Sequence, residues 1–263
     1  MPAMRQWLMS FPPDVSRHLD RFCSRLAESI DLRGLYVYGS LTTGDFSPAR
    51  SDIDLVAVTE RELDEAALNR LRVIHLDLAA AGGPASRMNC LYVPAEFLGD
   101  PDHLHHYWYE DHFTQWQLKV MTQAELAAAG YPLHGDWPVP GLAPVAVADL
   151  QAAVHAEVDG YWRRMAAKRS LWLQDNWVDH GLVVLPRAEA LLSSGDLITK
   201  SEAISRLGDF GVPAQLALQV RRRRDGDQVS LSRLQRTFRA RQVQRIMRTA
   251  VQRLSAQGPA QLT

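Results

Sequence analysis

The stretch that most constrains this chain lies between residues 34 and 58. Two short apolar runs, Gly34 to Tyr38 and Ile53 to Val58, flank a segment that begins Gly39-Ser40 and continues LTTGDFSPARS. The runs are rich in β-branched and aromatic residues and read as strands, whereas the Gly-, Pro- and Thr-rich segment reads as a loop. Before them, Val15, Leu19, Phe22, Leu26 and Ile30 recur at helical intervals, with Asp14 after Pro12-Pro13 as the expected cap. After them, Leu63, Ala67, Leu71, Ile74 and Leu78 repeat the pattern over 60–80, Gly82-Gly83-Pro84 ends it, and Met88–Val93 forms a third strand. The order α-β-loop-β-α-β specifies an α/β (α+β) module around a small central sheet.

The remainder divides by composition. Residues 94–115, with their Pro, His and aromatic residues, read as an irregular connection, 123–129 as a short helix, and PLHGDWPVPGLAP (132–144) as a linker. Beyond about 145 every segment is helical: 147–167, 169–193, 199–208, 213–223 and 230–255. The chain is expected to comprise a first domain over 1–140 and an all-helical domain over 141–263. Apolar residues make up 46% and charged residues 22%, enough to build a core and exclude wholesale disorder. No run approaches the roughly 18–20 apolar residues of a membrane span, and the N-terminus has no extended apolar region of the kind that marks a leader. Cys23 and Cys90 form no disulfide framework or metal spacing and read as small buried apolar residues, consistent with a reducing cytoplasm.

Chemistry concentrates at Gly39-Ser40 and, after eleven intervening residues, Asp52-Ile53-Asp54. Side chains alternate along a strand, so Asp52 and Asp54 share a face while Ile53 and Leu55 point to the other. Two adjacent carboxylates repel by about 1 to 4 kcal/mol at a separation of about 4 Å. A divalent cation removes that repulsion, and hard oxygen ligands with open positions suit Mg²⁺ carrying substrate phosphates. Glycine admits a phosphate close to the backbone N–H groups, and the Ser40 hydroxyl adds a donor. Either half alone is a common turn or strand end; together they describe a site for a Mg²⁺–nucleoside triphosphate and displacement at phosphorus.

The segment YVYGSLTTGDFSPARSDIDLVAV resembles the signature of the DNA polymerase β-like nucleotidyltransferases, Gly-Ser followed by Asp-x-Asp. Within that superfamily the chain is most similar to the aminoglycoside adenylyltransferases that modify streptomycin and spectinomycin, and to their bacterial relatives. The likeness extends from about residue 30 to 210, since LVVLPRAEALLSSGDLITKSEA matches a second-domain pattern of Arg187, a Gly195 turn and Lys200. It implies AMP transfer from ATP to a hydroxyl of a small, cationic, hydroxylated acceptor. Asp52 and Asp54 would be catalytic and bind Mg²⁺, while Gly39, Ser40, Arg187 and Lys200 would bind the triphosphate across an interdomain cleft. Asp175 and Asp179 would meet acceptor amines, and the protein would be a monomer or weak dimer. One departure stands out. The antibiotic-modifying relatives carry a general-base glutamate on the third strand, where this chain has Met88, Asn89 and Cys90. Asp77, Glu96, Glu110 and Asp111 are the nearby acids. Another acceptor, protein or RNA, and a nucleotide-binding protein without catalysis are the alternative readings.

Weaker signals have bland readings. His103, His105, His106 and His112 are expected in a solvated loop rather than on zinc, and His112 or Glu110 is a further candidate for the acceptor base. Most of the seven tryptophans are expected to pack cores. Residues 221–263 hold eleven Arg against Asp225 and Asp227, a charge of +9, which leaves -10 on the rest of a chain of net charge -1. This segment reads as an amphipathic helix whose solvated arginine face lies opposite Leu234, Phe238, Val243 and Ile246, with nucleic-acid binding the sharper alternative.

Overall fold

A computed structural model describes residues 11–257 and divides the chain into two compact units, which meet in sequence at Val145/Ala146. In the first unit a six-stranded mixed sheet has the order β5-β4-β3-β2-β1-β6. Its strands are β1 (Leu32–Tyr38), β2 (Ile53–Thr59), β3 (Met88–Pro94), β4 (Leu104–Tyr109), β5 (His112–Gln117) and β6 (Tyr131–His134). Only β2 and β3 pair in parallel, and the crossover between them contains helix α2 (Glu65–Ala79).

Helix α1 (Pro13–Ser29) forms where the apolar periodicity places it, and Val15, Leu19, Phe22 and Leu26 are fully buried. Asp14 is not its cap. Proline's fixed φ suits the first helical position, so the helix begins at Pro13 and Asp14 sits inside the first turn. Helix α2 is capped by Asp64, whose carboxylate accepts from the Ala67 N–H at 2.7 Å. Both helices cover one sheet face and bury Ile53, Leu55 and Ala57 of β2 with Met88, Cys90 and Tyr92 of β3. The other face buries Val56, Val58, Leu91 and Val93 beneath Leu126 of α3 (Val120–Ala129) and Val139.

Between the sheet and α2 lies His75, 2% exposed, its Nε2 2.7 Å from the Tyr92 hydroxyl and its ring stacked on Trp108 at 4.5 Å. Burial lowers its pKa to about 3, whereas an unfolded histidine titrates near 6.5. The unfolded chain therefore takes up a proton that the folded chain refuses. The stability linked to His75 is complete above pH 6.5 and is lost as pH falls toward 3, by up to about 1.4 kcal/mol per unit. Between pH 6.5 and 5 the loss is expected to reach about 2 kcal/mol. Urea midpoints for His75→Phe should lack this slope; a slope equal to wild type would refute the assignment.

The second sheet edge differs from expectation. Residues 94–115 contain most of a β-hairpin rather than an irregular connection, with β4 and β5 joined by a two-residue turn, Glu110-Asp111. Both turn residues have left-handed φ, 47° and 64°. Such turns match the twist of a hairpin but usually contain Asn and Gly, so the two acids here hide the signal. The segment expected as a linker begins with β6, which completes the sheet beside β1.

The second unit is helical. Helix α4 (Val147–Glu157) continues through a π-turn (Val158–Trp162) into α5 (Arg163–Ala167), as the continuous 147–167 periodicity foretold. Helices α6 (Asp175–Ser194), α7 (Lys200–Ser205), α8 (Ala214–Arg224) and α9 (Arg233–Ala256) follow. Gly195, at φ 78°, ends α6 in the left-handed conformation that glycine tolerates, and a Cβ there would lie 2.6 Å from Val147 Cγ1. Capping boxes of Thr199 with Glu202 and Ser232 with Gln235 start α7 and α9. Among the described residues no helix is long and apolar enough to cross a membrane.

Candidate active site

Strand β1 ends at Tyr38, which lies across from Asp54 of β2, and the chain turns through Gly39–Leu41. The turn is fixed by its carbonyls: Gly39 O accepts from the N–H groups of Thr42 and Thr43, and Ser40 O from Asp45 N–H. Gly39 has φ 75°, and a Cβ there would lie 3.1 Å from Asp54 Oδ2. Glycine thus satisfies two demands, a left-handed backbone and the lack of a Cβ against a carboxylate. The Gly-Ser turn and the Asp-x-Asp strand, distant in sequence, are neighbours.

Asp52 is exposed just before β2, and Asp54 is half-buried within it. Ile53 and Leu55 lie buried in the opposite face, in accord with the alternation. Tyr107, which crosses from Leu91 on β4, senses both carboxylates: burial first, then Asp54 and more weakly Asp52, pushes its hydroxyl up. Tyr38 is likewise pushed well up by burial and by Asp54.

The parallel register sets Asn89 of β3 directly beside Asp54. Its Nδ2 donates to Asp54 Oδ1 at 3.1 Å, and the residue is 8% exposed. A neutral amide donor therefore fixes one oxygen of Asp54 at the position expected for a third acid. Among the described residues no group of three or more His, Cys, Asp or Glu gathers to hold a metal. Two carboxylates suffice for Mg²⁺ when phosphates and water complete its shell, and the hard oxygen donors of Asp52 and Asp54, with no side chain on Gly39 against Asp54 Oδ2, suit such an ion.

Arg87 is a site residue that the sequence reading missed. Its guanidinium donates to Ser51 O at 3.2 Å and Pro48 O at 2.6 Å, fastening the loop that delivers Asp52. Nothing in its local spacing marks it, since its partners lie 36 and 39 residues away. Of the nearby acids, Asp77 pairs with Arg25 at 3.0 Å, whereas Glu110 and Asp111 line a cavity with Asp52 and Asn89.

The histidines expected in a loop lie on or beside strands. His103 meets Glu62 at 3.1 Å and stacks on Phe97, His105 is 1% exposed on β4, and His112 Nδ1 lies 2.9 Å from Glu110 O. Cys90 is fully buried and Cys23 partly so, and burial raises both thiols. Neither is poised as a nucleophile.

In the helical unit Arg187 Nε donates to Ile198 O at 3.1 Å, bracing the turn that leads to Lys200 at the start of α7. Both cations act on His180 of α6, whose pKa is lowered by burial and then by Lys200 and Arg187. Asp175 and Asp179 meet arginines rather than presenting free carboxylates to amines. Arg223, 4% exposed, grips Asp179 with Nε at 2.8 Å and Nη2 at 2.5 Å, while Arg239 and Arg236 reach Asp175. Burial raises Asp179 above the ordinary carboxylate range despite Arg223. Burial would raise Asp175 as well, but Arg239, Arg223 and Arg236 hold it below that range. The arginine segment is thus not wholly a solvated face. Arg223 and Arg239 are drawn inward, and although Val243 and Ile246 are buried, Leu234 and Phe238 are 84% and 71% exposed.

The mixed sheet brings Gly-Ser and Asp-x-Asp together on adjoining elements, and residues 15–126 of this unit match the family model described as "Nucleotidyltransferase domain". Of solved structures, the chain is similar to that of spectinomycin adenyltransferase AAD(9) from Enterococcus faecialis with ATP and spectinomycin. The TM-score is 0.67 over 88% of this chain and 98% of that one, at 12% identity, a likeness of fold. No curated protein matches the chain.

Proposed function

We propose that the protein is a Mg²⁺-dependent adenylyltransferase that moves AMP from ATP to a hydroxyl of a small aminoglycoside- or aminocyclitol-like acceptor and releases pyrophosphate. The observation that carries this reading is the approach of the Gly39 turn to Asp54, 3.1 Å from a Cβ position to Oδ2. It joins a place for phosphate to a place for a cation. The nucleotidyltransferase domain supports transfer of a nucleotide, and the fold likeness to a spectinomycin adenyltransferase favours a small acceptor.

In this reading the Gly39-Ser40 backbone and the Ser40 hydroxyl hold the triphosphate. Asp52 and Asp54 hold Mg²⁺, with Asn89 orienting Asp54. Bound there, the ion neutralises charge that builds on the phosphate oxygens. The protein residues act through positioning and electrostatics, the dominant contributions in phosphoryl-transfer chemistry. ATP turnover followed by pyrophosphate release, with spectinomycin, streptomycin and other aminoglycosides as acceptors and Asp52→Ala as control, tests the proposal. Release that requires both an acceptor and Asp52 supports it. Silence across the panel with Mg²⁺–ATP bound would reject the small-acceptor assignment.

A further inference from the structure

A cavity of about 260 Å³ lies beside Asp52 where β2 and β3 begin, and the Glu110-Asp111 turn of the β4–β5 hairpin also lines it. Its polar lining includes Asp52, His75, Asn89, Tyr109, Glu110 and Asp111. A hydroxyl that attacks phosphorus must lose its proton, and a positioned side chain within reach performs that transfer.

The lining groups differ in fitness for that task. His75 is held near pKa 3, pairs with Tyr92 and lies against Trp108, so it is too weak a base. Asn89 is an amide already donating to Asp54. Tyr109 is raised first by its side-chain hydrogen bond to Glu110, then by burial and by the charges of Glu110 and Asp52. That bond ties the Glu110 carboxylate to a ring lying near Asp52, and Asp111 has no such tie in the observed contacts. Among the described residues no three His, Cys, Asp or Glu gather as metal ligands, Glu110 with the aspartate pair included.

We propose that Glu110 is the general base for the acceptor hydroxyl, a role that rests on the adenylyl-transfer reading above. The acceptor O–H bond breaks and its proton passes to the Glu110 carboxylate. The acceptor oxygen forms a bond to the α-phosphorus of ATP, the bond from that phosphorus to the α–β bridging oxygen breaks, and pyrophosphate leaves with the electron pair. Glu110 then returns its proton to solvent. The base has in effect moved from the third strand, where Asn89 stands, to the hairpin turn across the cavity.

The test compares full-length wild type, Glu110→Gln, Glu110→Asp and Asp111→Asn, following pyrophosphate release with an acceptor the wild type turns over, and Mg²⁺–ATP binding by calorimetry. Glu110→Gln is expected to lower kcat at least about 100-fold, with ATP affinity within about twofold of wild type. Glu110→Asp should retain more activity than the glutamine variant, and Asp111→Asn should stay within about threefold of wild type. A Glu110→Gln enzyme that keeps more than about a third of kcat overturns the assignment, as does a loss that falls on Asp111→Asn instead. Loss of ATP binding along with rate also overturns it, since a base is not needed for binding. Wild-type protein silent with every acceptor rejects the adenylyl-transfer reading, and the base with it.

Discussion

Asp54→Asn is expected to reduce acceptor-dependent pyrophosphate release by about 10³-fold, equivalent to roughly 4 kcal/mol of transition-state stabilisation, while the fold survives. Asp54 stands beside the Gly39 turn and receives the Asn89 amide on Oδ1, while its Oδ2 lies on the side of Gly39. The asparagine side chain has nearly the same shape but lacks the charge that holds a divalent cation. It can also turn an N–H toward the Asn89 donor, leaving that buried amide without an acceptor. Stability should fall by about 1 to 3 kcal/mol from that mismatch, with the circular-dichroism spectrum unchanged. Activity within tenfold of wild type would remove Asp54 from the metal site, whatever the fate of the nucleotide.

Asp179→Ala is expected to destabilise the helical unit by about 3 kcal/mol. Arg223 is 4% exposed and its Nε and Nη2 are committed to Asp179, so the substitution takes the carboxylate nearest to it away from a buried guanidinium, with Asp175 farther off at 3.9 Å. The cost arises from the stranded charge more than from the lost attraction. The double variant Asp179→Leu, Arg223→Met should therefore recover most of the lost stability, because no charge remains to be solvated. Thermal denaturation measures both, with an expected fall of roughly 10 °C for the single variant. If the double variant melts no higher than Asp179→Ala, the stranded-charge explanation fails.

The sequence alone went far in the first unit. Helical periodicity marked α1 and α2, β-branched runs marked β1, β2 and β3, and the Gly-Ser and Asp-x-Asp pattern pointed to the family whose model matches residues 15–126. Each of these signals is local, written within one turn, strand or helix. The alternation along β2 was enough to put Ile53 and Leu55 into the core and leave the acids on the other face. In the second unit the 3.6-residue period marked every long helix, because helices are stabilised by contacts close in sequence, although α6 begins at Asp175 rather than 169, after a 3-10 turn over Leu171–Leu173.

What only the tertiary structure decided was which distant groups meet. Parallel pairing placed Asn89 against Asp54, a partnership 35 residues apart that no spacing announces. The hairpin that carries Tyr107, Tyr109 and Glu110 was hidden because an Asp follows Glu at a turn where Asn-Gly is usual. Helical periodicity likewise put Leu234 and Phe238 on the apolar side of α9, but Asp175 drew Arg239 inward, and the first turns of the helix turned those two residues to solvent. A charged side chain enters a core only when a partner awaits it, and strand register and ion pairs are chosen by the whole fold. Periodicity records how a segment curls; the identity of its neighbours across the sheet or bundle is set when the chain closes on itself.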